Sequence, residues 1–198
     1  MSYLRRLREL DYSRSLATPA ASRVVLLTGQ SSFRSSRLTN DQLTLLRTVA
    51  NATPLELGFP FHPAFDVAEP VPAMVAASVR NALQFMWTLG PQPVFARALQ
   101  PLITNTRESL YIVTGSCGLQ ILNSAWPFLE HPPALKLRIV AIGPAAWQNR
   151  LRVVAIRGRR DPWSRLLYRG PITHSCDCGH LDYWSSPEVH ELVRNACA

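Results

Sequence analysis

The chain has 198 residues, which is enough for one domain with a substantial core, and we expect a single globular unit. Apolar residues make up 47% of it, and no stretch approaches the roughly 18 uninterrupted apolar residues that a membrane span needs. The net charge of +8 predicts a surface that attracts anions such as nucleic acid, an acidic carrier protein, a phosphate-bearing thioester or anionic lipid. The arginines are spread along the chain without a recognisable nucleic-acid-binding motif, so nucleic acid is not expected as the main ligand.

The cysteine content and the N-terminal sequence indicate the cellular compartment in which the protein is expected. The chain has four cysteines, few for its length, and its basic N-terminus lacks the apolar core and small-residue cleavage site of a secretory signal. We therefore expect a cytoplasmic protein with reduced thiols and no structural disulfide. Residues 1–22, which include a short predicted helix over 3–10, are expected to form an N-terminal segment, and residues 23–198 a single domain.

The first half of the domain alternates predicted strands and helices. Residues 23–28 are typical of a buried strand, and the small residues that follow predict a tight loop whose backbone N–H groups can face an anion. A helix capped by Thr39 or Asn40 comes next, and then a second strand over 54–62 that ends in a proline-rich loop. Residues 71–103 have helical periodicity interrupted at 90–93, which predicts two helices.

Residues 110–122 are the most informative stretch. The pattern predicts a buried strand, a sharp turn of small residues over 114–118, and then a helix. Such a turn exposes one side chain at the carboxyl end of the strand, where parallel α/β sheets bind their ligands. Ser116 and Cys117 are the two candidates for that position.

Three more strands and a helix complete the prediction. The strands are expected over 135–143, 151–158 and 171–177, and the helix over 186–193, with Ser186 before a proline at its start. Asp161 follows the second of these strands, and His180 follows the third. The predicted fold class is therefore α/β, with a mostly parallel central sheet and flanking helices.

Three positions resemble the α/β-hydrolase family, in which nucleophile, acid and histidine occur in that order along the chain. They are the turn Thr-Gly-Ser116-Cys-Gly after a strand, Asp161 after the next strand but one, and Gly179-His180 before the last helix. The resemblance spans residues 23–195 and implies a compact hydrolase of the small esterase or thioesterase type. Thr114 departs from the family pattern, which has a glycine at that position.

The chemistry of these side chains supports the same roles. A serine hydroxyl becomes a good nucleophile when an imidazole removes its proton, and a carboxylate that accepts the other imidazole N–H holds the required tautomer. Ser116, His180 and Asp161 fill these roles. The backbone N–H groups of Cys117 and Gln30 are expected to form the oxyanion hole.

Alternatives remain open at this turn. Cys117 is a rival nucleophile, because a thiolate paired with histidine favours acyl transfer through a thioester. Another alternative is that the turn is only a tight corner between a strand and a helix, with Asp161 and His180 as ordinary loop residues.

The sequence predicts no metal site and no cofactor. His174, Cys176, Cys178 and His180 are residue types that bind zinc, but ligands so close together along one presumed strand cannot readily close a tetrahedron.

We therefore predict a hydrolase that cleaves an ester or thioester through an acyl-enzyme at Ser116. The expected substrate is a small acyl compound, either free or presented on an acidic carrier protein. One alternative is an acyltransferase or thioesterase that uses Cys117. Another is a catalytically inactive hydrolase-fold protein that binds an acidic partner.

Overall fold

The computed structural model describes residues 3–69, 74–147 and 150–198. Seven α-helices and six strands are interspersed along these ranges. The helices are α1 (Tyr3–Glu9), α2 (Asn40–Arg47), α3 (Met74–Trp87), α4 (Pro93–Thr104), α5 (Gly118–Ala125), α6 (Pro162–Leu167) and α7 (Pro187–Cys197). The strands are β1 (Ala20–Thr28), β2 (Thr53–Pro54), β3 (Thr106–Gly115), β4 (Lys136–Ile142), β5 (Val154–Gly158) and β6 (His174–Cys176).

The strands form one six-stranded sheet in the order β2-β1-β3-β4-β5-β6, with every pair parallel. The longest pairing joins β1 to β3 and runs in continuous register from Ser22 opposite Ser109 to Thr28 opposite Gly115. All the strands therefore end at the same side of the sheet, which we call the carboxyl edge. The predicted α/β class with a mostly parallel central sheet is confirmed.

Helices cover both faces of the sheet, and each face has its own apolar core. Val25 and Leu27 of β1 point into the core under α1, α4 and α5. Val24 and Leu26 point into the core under α2 and α7. Burial on both faces explains why this strand is a continuous apolar run rather than an alternating one. Among the described helices, none has the length and apolar character to cross a membrane.

The N-terminal segment packs into the first of these cores. Tyr3 and Leu7 of α1 are buried there, and the ring of Tyr3 stacks on Phe33 with centroids 4.5 Å apart. The helix is thus anchored to the loop that follows β1.

The strand predicted over 54–62 is wrong in extent, because β2 covers only Thr53–Pro54. The N–H of Leu55 still bonds to β1, but the chain then turns, with the Phe61 N–H bonded to the Gly58 carbonyl. Pro60 has no N–H to donate to a ladder, which helps to end the strand. The apolar pattern of this stretch instead reflects Phe59 and Phe61, which are packed in the core at right angles to each other.

Local signals at helix starts are confirmed. Thr39 caps α2 through a reciprocal pair of hydrogen bonds with Gln42. Ser186 caps α7 by accepting from the N–H of Val189, with Pro187 in the first turn.

Gly118 allows α5 to approach β1 closely. A methyl group at this position would overlap the Leu27 carbonyl oxygen and lie 2.6 Å from its carbonyl carbon. Backbone cannot move aside as a flexible side chain can, so only glycine fits here. The first turn of α5 therefore rests directly on β1.

Gly118→Ala is expected to lower the free energy of unfolding by about 1–3 kcal/mol or more, because the added methyl group forces α5 away from β1. Gly90→Ala is the matched control, since a methyl group there meets no atom within 4 Å. It should change stability by less than about 0.5 kcal/mol. Urea unfolding of both variants measures the difference, and equal stabilities would contradict the close-packing argument.

Candidate active site

Ser116 is the first residue after β3 and has a left-handed backbone, with φ +49°. A side chain in this region costs on the order of 1–3 kcal/mol and persists only where the surrounding structure holds it. The Ser116 N–H bonds to the Ile142 carbonyl at 3.3 Å, and its carbonyl accepts from Ala145 at 2.8 Å. These bonds fix the turn against the end of β4, and the serine remains half-exposed.

Cys117 points the other way, into the protein. Its side chain is buried in the core and lies against the loop after β1, where a methyl group at Gly29 would overlap its sulfur. Burial raises the pKa of the Cys117 thiol to about 12, so the group is protonated at neutral pH. The turn thus exposes the serine and buries the cysteine.

Asp161 lies just beyond the end of β5 and caps α6. Its carboxylate accepts from the Ser164 N–H at 3.1 Å, and its side chain is fully buried. The carboxylate that was predicted to follow this strand at the carboxyl edge is therefore a buried, hydrogen-bonded acid in the structure.

The structure brings His180 to Asp161. The His180 Nδ1 lies 3.0 and 3.1 Å from the two carboxylate oxygens. An ionised carboxylate only accepts hydrogen bonds, so Nδ1 carries the proton, and in a neutral imidazole Nε2 keeps its lone pair. His180 is partly exposed, with 24% of its side chain accessible, so it connects the buried acid with the surface of the site.

Tyr183 completes the network and was given no role by the sequence analysis. Its hydroxyl donates to Asp161 Oδ2 at 2.7 Å and accepts from the Gly158 N–H at 2.7 Å. The residue lies three positions after His180, in the motif Gly-His-Leu-Asp-Tyr. The sequence signal for this role was a tyrosine close to His180 in the chain, because a buried tyrosine needs a hydrogen-bond partner for its hydroxyl.

The pKa of Asp161 reflects opposing effects. Burial alone raises the pKa of this carboxyl, but hydrogen bonds from His180, Tyr183 and the Ser164 N–H outweigh it, and the net shift is downward. Burial, and next the hydrogen bond to Asp161, raise the pKa of Tyr183 well above its ordinary value. The pair is therefore an ionised carboxylate and a neutral phenol.

The turn at Gly143 lies between Ser116 and the Asp161–His180 pair. Gly143 has φ +50°, and a methyl group there would lie 3.0 Å from Asp161 Oδ2 and would overlap the Tyr183 ring. The next residues of this turn include Ala145, which bonds to Ser116. Within the described ranges, however, the structure has no hydrogen bond from Ser116 to His180, so the acid–histidine hydrogen bond is formed and the serine–histidine hydrogen bond is not.

Helix α3 covers the loop that was predicted to supply an oxyanion donor. The Gln30 N–H donates to Gln84 Oε1 at 2.7 Å, so a side-chain carbonyl occupies this donor. Asn81, one turn earlier, places a buried Oδ1 against Gly29, and this atom has no hydrogen-bond partner in the part of the chain described. Neither amide was predicted from the sequence, although they lie three residues apart on a helix whose other side is apolar.

Two surface cavities in the described ranges lie away from this site. One, of about 440 Å³, is lined by Arg23, Leu43 and Thr53, and the other, of about 430 Å³, by residues of α4 and Phe128. Neither borders Ser116 or His180. The shape of the surface therefore does not identify the site, and the side-chain chemistry does.

The cysteines and histidines near the end of the chain do not form a metal centre in the described ranges, where no group of three potential ligands occurs. All four cysteines are buried free thiols. Cys176 and Cys178 lie against each other, and burial raises the pKa of Cys176 to about 12.

Comparisons with known proteins add no assignment. A scan against protein-family models found no match, and a search of the curated proteins found no similar sequence.

Asp161→Asn should destabilise the protein at about pH 7 by about 1–3 kcal/mol, because it weakens a buried network built around a charge. The folded pKa of Asp161 lies below its ordinary value of 3.8, so its ionisation stabilises the fold above that pH. This contribution is lost as the pH falls through the lowered folded pKa. The gap in unfolding free energy between wild type and variant should therefore narrow below pH 3.8.

Asp177→Asn is the matched control for that measurement, because its carboxylate forms an exposed ion pair with Arg160. It should have little effect at either pH. If the difference in unfolding free energy between wild type and Asp161→Asn stays constant from neutral to acidic pH, the ionisation of Asp161 does not stabilise the fold.

Proposed function

We propose that the protein hydrolyses an ester or thioester through an acyl-enzyme at Ser116, with His180 as general base and Asp161 as the residue that orients it. One observation carries the proposal: a buried, ionised Asp161 bonded to His180 Nδ1, at the same sheet edge as a serine held at φ +49°. A serine forced into a strained turn after a parallel strand is typical of a nucleophile elbow.

The chemistry follows from these positions. His180 Nε2 takes the proton as Ser116 Oγ attacks the carbonyl carbon, and Asp161 stabilises the imidazolium that forms. Collapse of the tetrahedral intermediate expels an alcohol or thiol, which receives that proton. Water, activated by the same imidazole, then releases the acid and restores the serine. For the first step, the His180 loop has to bring its Nε2 within hydrogen-bond reach of Ser116.

Several features favour serine over Cys117 as the nucleophile. Cys117 is buried and its thiol is protonated, whereas an attacking sulfur must be an accessible thiolate. Gly118 lies two residues after Ser116, at the position where the elbow pattern needs close contact between helix and strand. The Cys117 backbone N–H, directly after the serine, remains a candidate oxyanion donor.

The substrate class rests on charge. A net charge of +8 suits an acyl group presented on an acidic carrier protein or on a phosphate-bearing thiol, so a thioester is the narrower proposal. The alternatives of acyl transfer through Cys117 and of an inactive binding protein are outcomes of the labelling experiment below.

Ser116→Ala should abolish labelling by a fluorophosphonate probe and lower the hydrolysis of an activated aryl ester by at least about 10³-fold, because it removes the nucleophile. Cys117→Ala is the adjacent control and should retain both labelling and activity. Iodoacetamide-sensitive activity that is lost only with Cys117 would instead support the thiol mechanism. No labelling and no hydrolysis in the wild type would support a binding protein.

Gln84→Leu should raise the rate of ester hydrolysis per folded molecule, because it frees the Gln30 N–H for the oxyanion. Ser78→Ala, on the exposed side of the same helix, should leave the rate unchanged. Both rates are measured below saturation, with the folded fraction taken from circular dichroism. An unchanged or lower rate for Gln84→Leu would show that the Gln30 N–H does not serve the oxyanion.

A further inference from the structure

Helix α3 has an outer face without charge. Its exposed side chains at helical spacing are Val79, Leu83 and Met86, followed by Leu89 just beyond its end. These four side chains are 43–60% exposed, whereas Gln84 on the opposite side is fully buried. Helices on the surface of soluble proteins normally expose polar residues, whereas this helix exposes apolar residues and buries a glutamine.

Exposed apolar side chains continue around the carboxyl edge. Trp147 follows β4, Trp163 and Leu166 lie on α6, and Leu181 follows His180. They are 56–69% exposed. Together with the four residues of the α3 region, they make up eight of the ten large apolar side chains that are exposed in the described ranges. We call this set the apolar rim.

Contacts join the segments that carry the apolar rim. Phe85 of α3 packs edge-on against Trp147 with ring centroids 6.5 Å apart. The N–H of Ala146 bonds to the Leu167 carbonyl of α6 at 3.2 Å. The loop that carries Leu181 is tied to the start of α6 by the His180–Asp161 bond. The segments that carry the rim are therefore neighbours in the structure, and the Trp147 segment is bonded to Ser116 through Ala145.

The same region is positively charged on balance, since three arginines lie there and Asp182, next to Leu181, is an exposed carboxylate. Arg159 and Arg165 are exposed beside Trp163, and Arg80 lies on α3. None of these three arginines forms an ion pair with a carboxylate in the described ranges. The only charged residue between positions 74 and 92 is Arg80. Apolar side chains including tryptophan, flanked by arginine, are the composition that favours the surface of an anionic bilayer.

Charge also distinguishes among the possible binding partners of the apolar rim. A second copy of this chain, docked by two-fold symmetry, would bring Arg159 and Arg165 of both copies to one interface, and like charges there are unfavourable. An acidic protein would match the arginines, but eight protruding apolar side chains spread over four segments form a broad face rather than a groove for one helix. A lipid surface matches both the charge and the breadth.

We propose that the apolar rim docks this protein on an anionic lipid surface, with the carboxyl edge of the sheet facing the lipid. Tryptophan and leucine side chains enter the boundary between headgroups and acyl chains, and the arginines lie at the level of the phosphates. Docking of this kind does not depend on the proposed hydrolysis, so the Ser116→Ala variant binds lipid as the wild type does.

The test is co-flotation of the full chain with vesicles of phosphatidylcholine alone and of phosphatidylcholine mixed with phosphatidylserine. The wild type is expected to float only with the anionic vesicles, and raising NaCl from about 0.1 M to about 1 M should release it. The double variant Leu83→Glu, Met86→Glu should bind at least about tenfold more weakly, because it places charge in the inserted helix face.

Charge is tested separately. Arg159→Gln and Arg165→Gln should each weaken binding about fivefold. The matched controls are Phe128→Glu, which alters an exposed apolar residue just after α5, and Arg107→Gln at the start of β3, both away from the carboxyl edge. Thermal melts that match the wild type establish that each variant is folded, which is expected because all these side chains are exposed.

Two results would overturn the proposal. One is an absence of flotation with anionic vesicles. This includes the case in which the wild type instead dimerises, or binds an acidic protein, and the Leu83→Glu, Met86→Glu variant loses that association. The other is flotation that the rim variants and the controls reduce equally, because binding would then reflect net charge alone.

Discussion

The buried carboxylate of Asp161 is the constraint on which the candidate site depends. A charge without access to water must be satisfied by hydrogen bonds, and here the donors are the His180 ring, the Tyr183 hydroxyl and the Ser164 N–H. These groups belong to the loop after β6, the turn before α7, and α6. One charge therefore sets the relative positions of three segments, and the imidazole of the proposed catalytic pair rests on the network that joins them.

The turn at Ser116 depends on a different constraint, which is the contact between the first turn of α5 and β1. Glycine at position 118 makes that contact possible, and the short approach directs Ser116 outward and Cys117 into the core. Helix α3 then lies over the neighbouring loop, with Gln84 bonded to Gln30 inside and an apolar stripe outside. The proposed chemistry and the proposed lipid contact thus meet at one helix.

Local sequence signals were sufficient for the order of the elements. Apolar runs bounded by small residues marked β1, β3 and β4, and caps at Thr39 and Ser186 marked two helix starts. Strands that are connected through helices typically run parallel in one sheet, so the fold class followed from that order. The chain positions of Asp161 and His180, each just after a strand, followed as well. The strand over 54–62 was predicted too long because an apolar run does not distinguish a ladder from a buried loop.

The sequence by itself therefore determined the α/β class, the position of the turn and the acid and histidine candidates, since each depends on residues within a few positions of one another. Only the tertiary structure decided which residue of the turn is exposed, because that depends on contact between Gly118 and a strand about 90 residues earlier in the chain. Tertiary contacts likewise placed Tyr183 under Asp161 and Gln84, 54 positions away, on the Gln30 N–H. No local pattern encodes such contacts, because they form only when distant segments pack together.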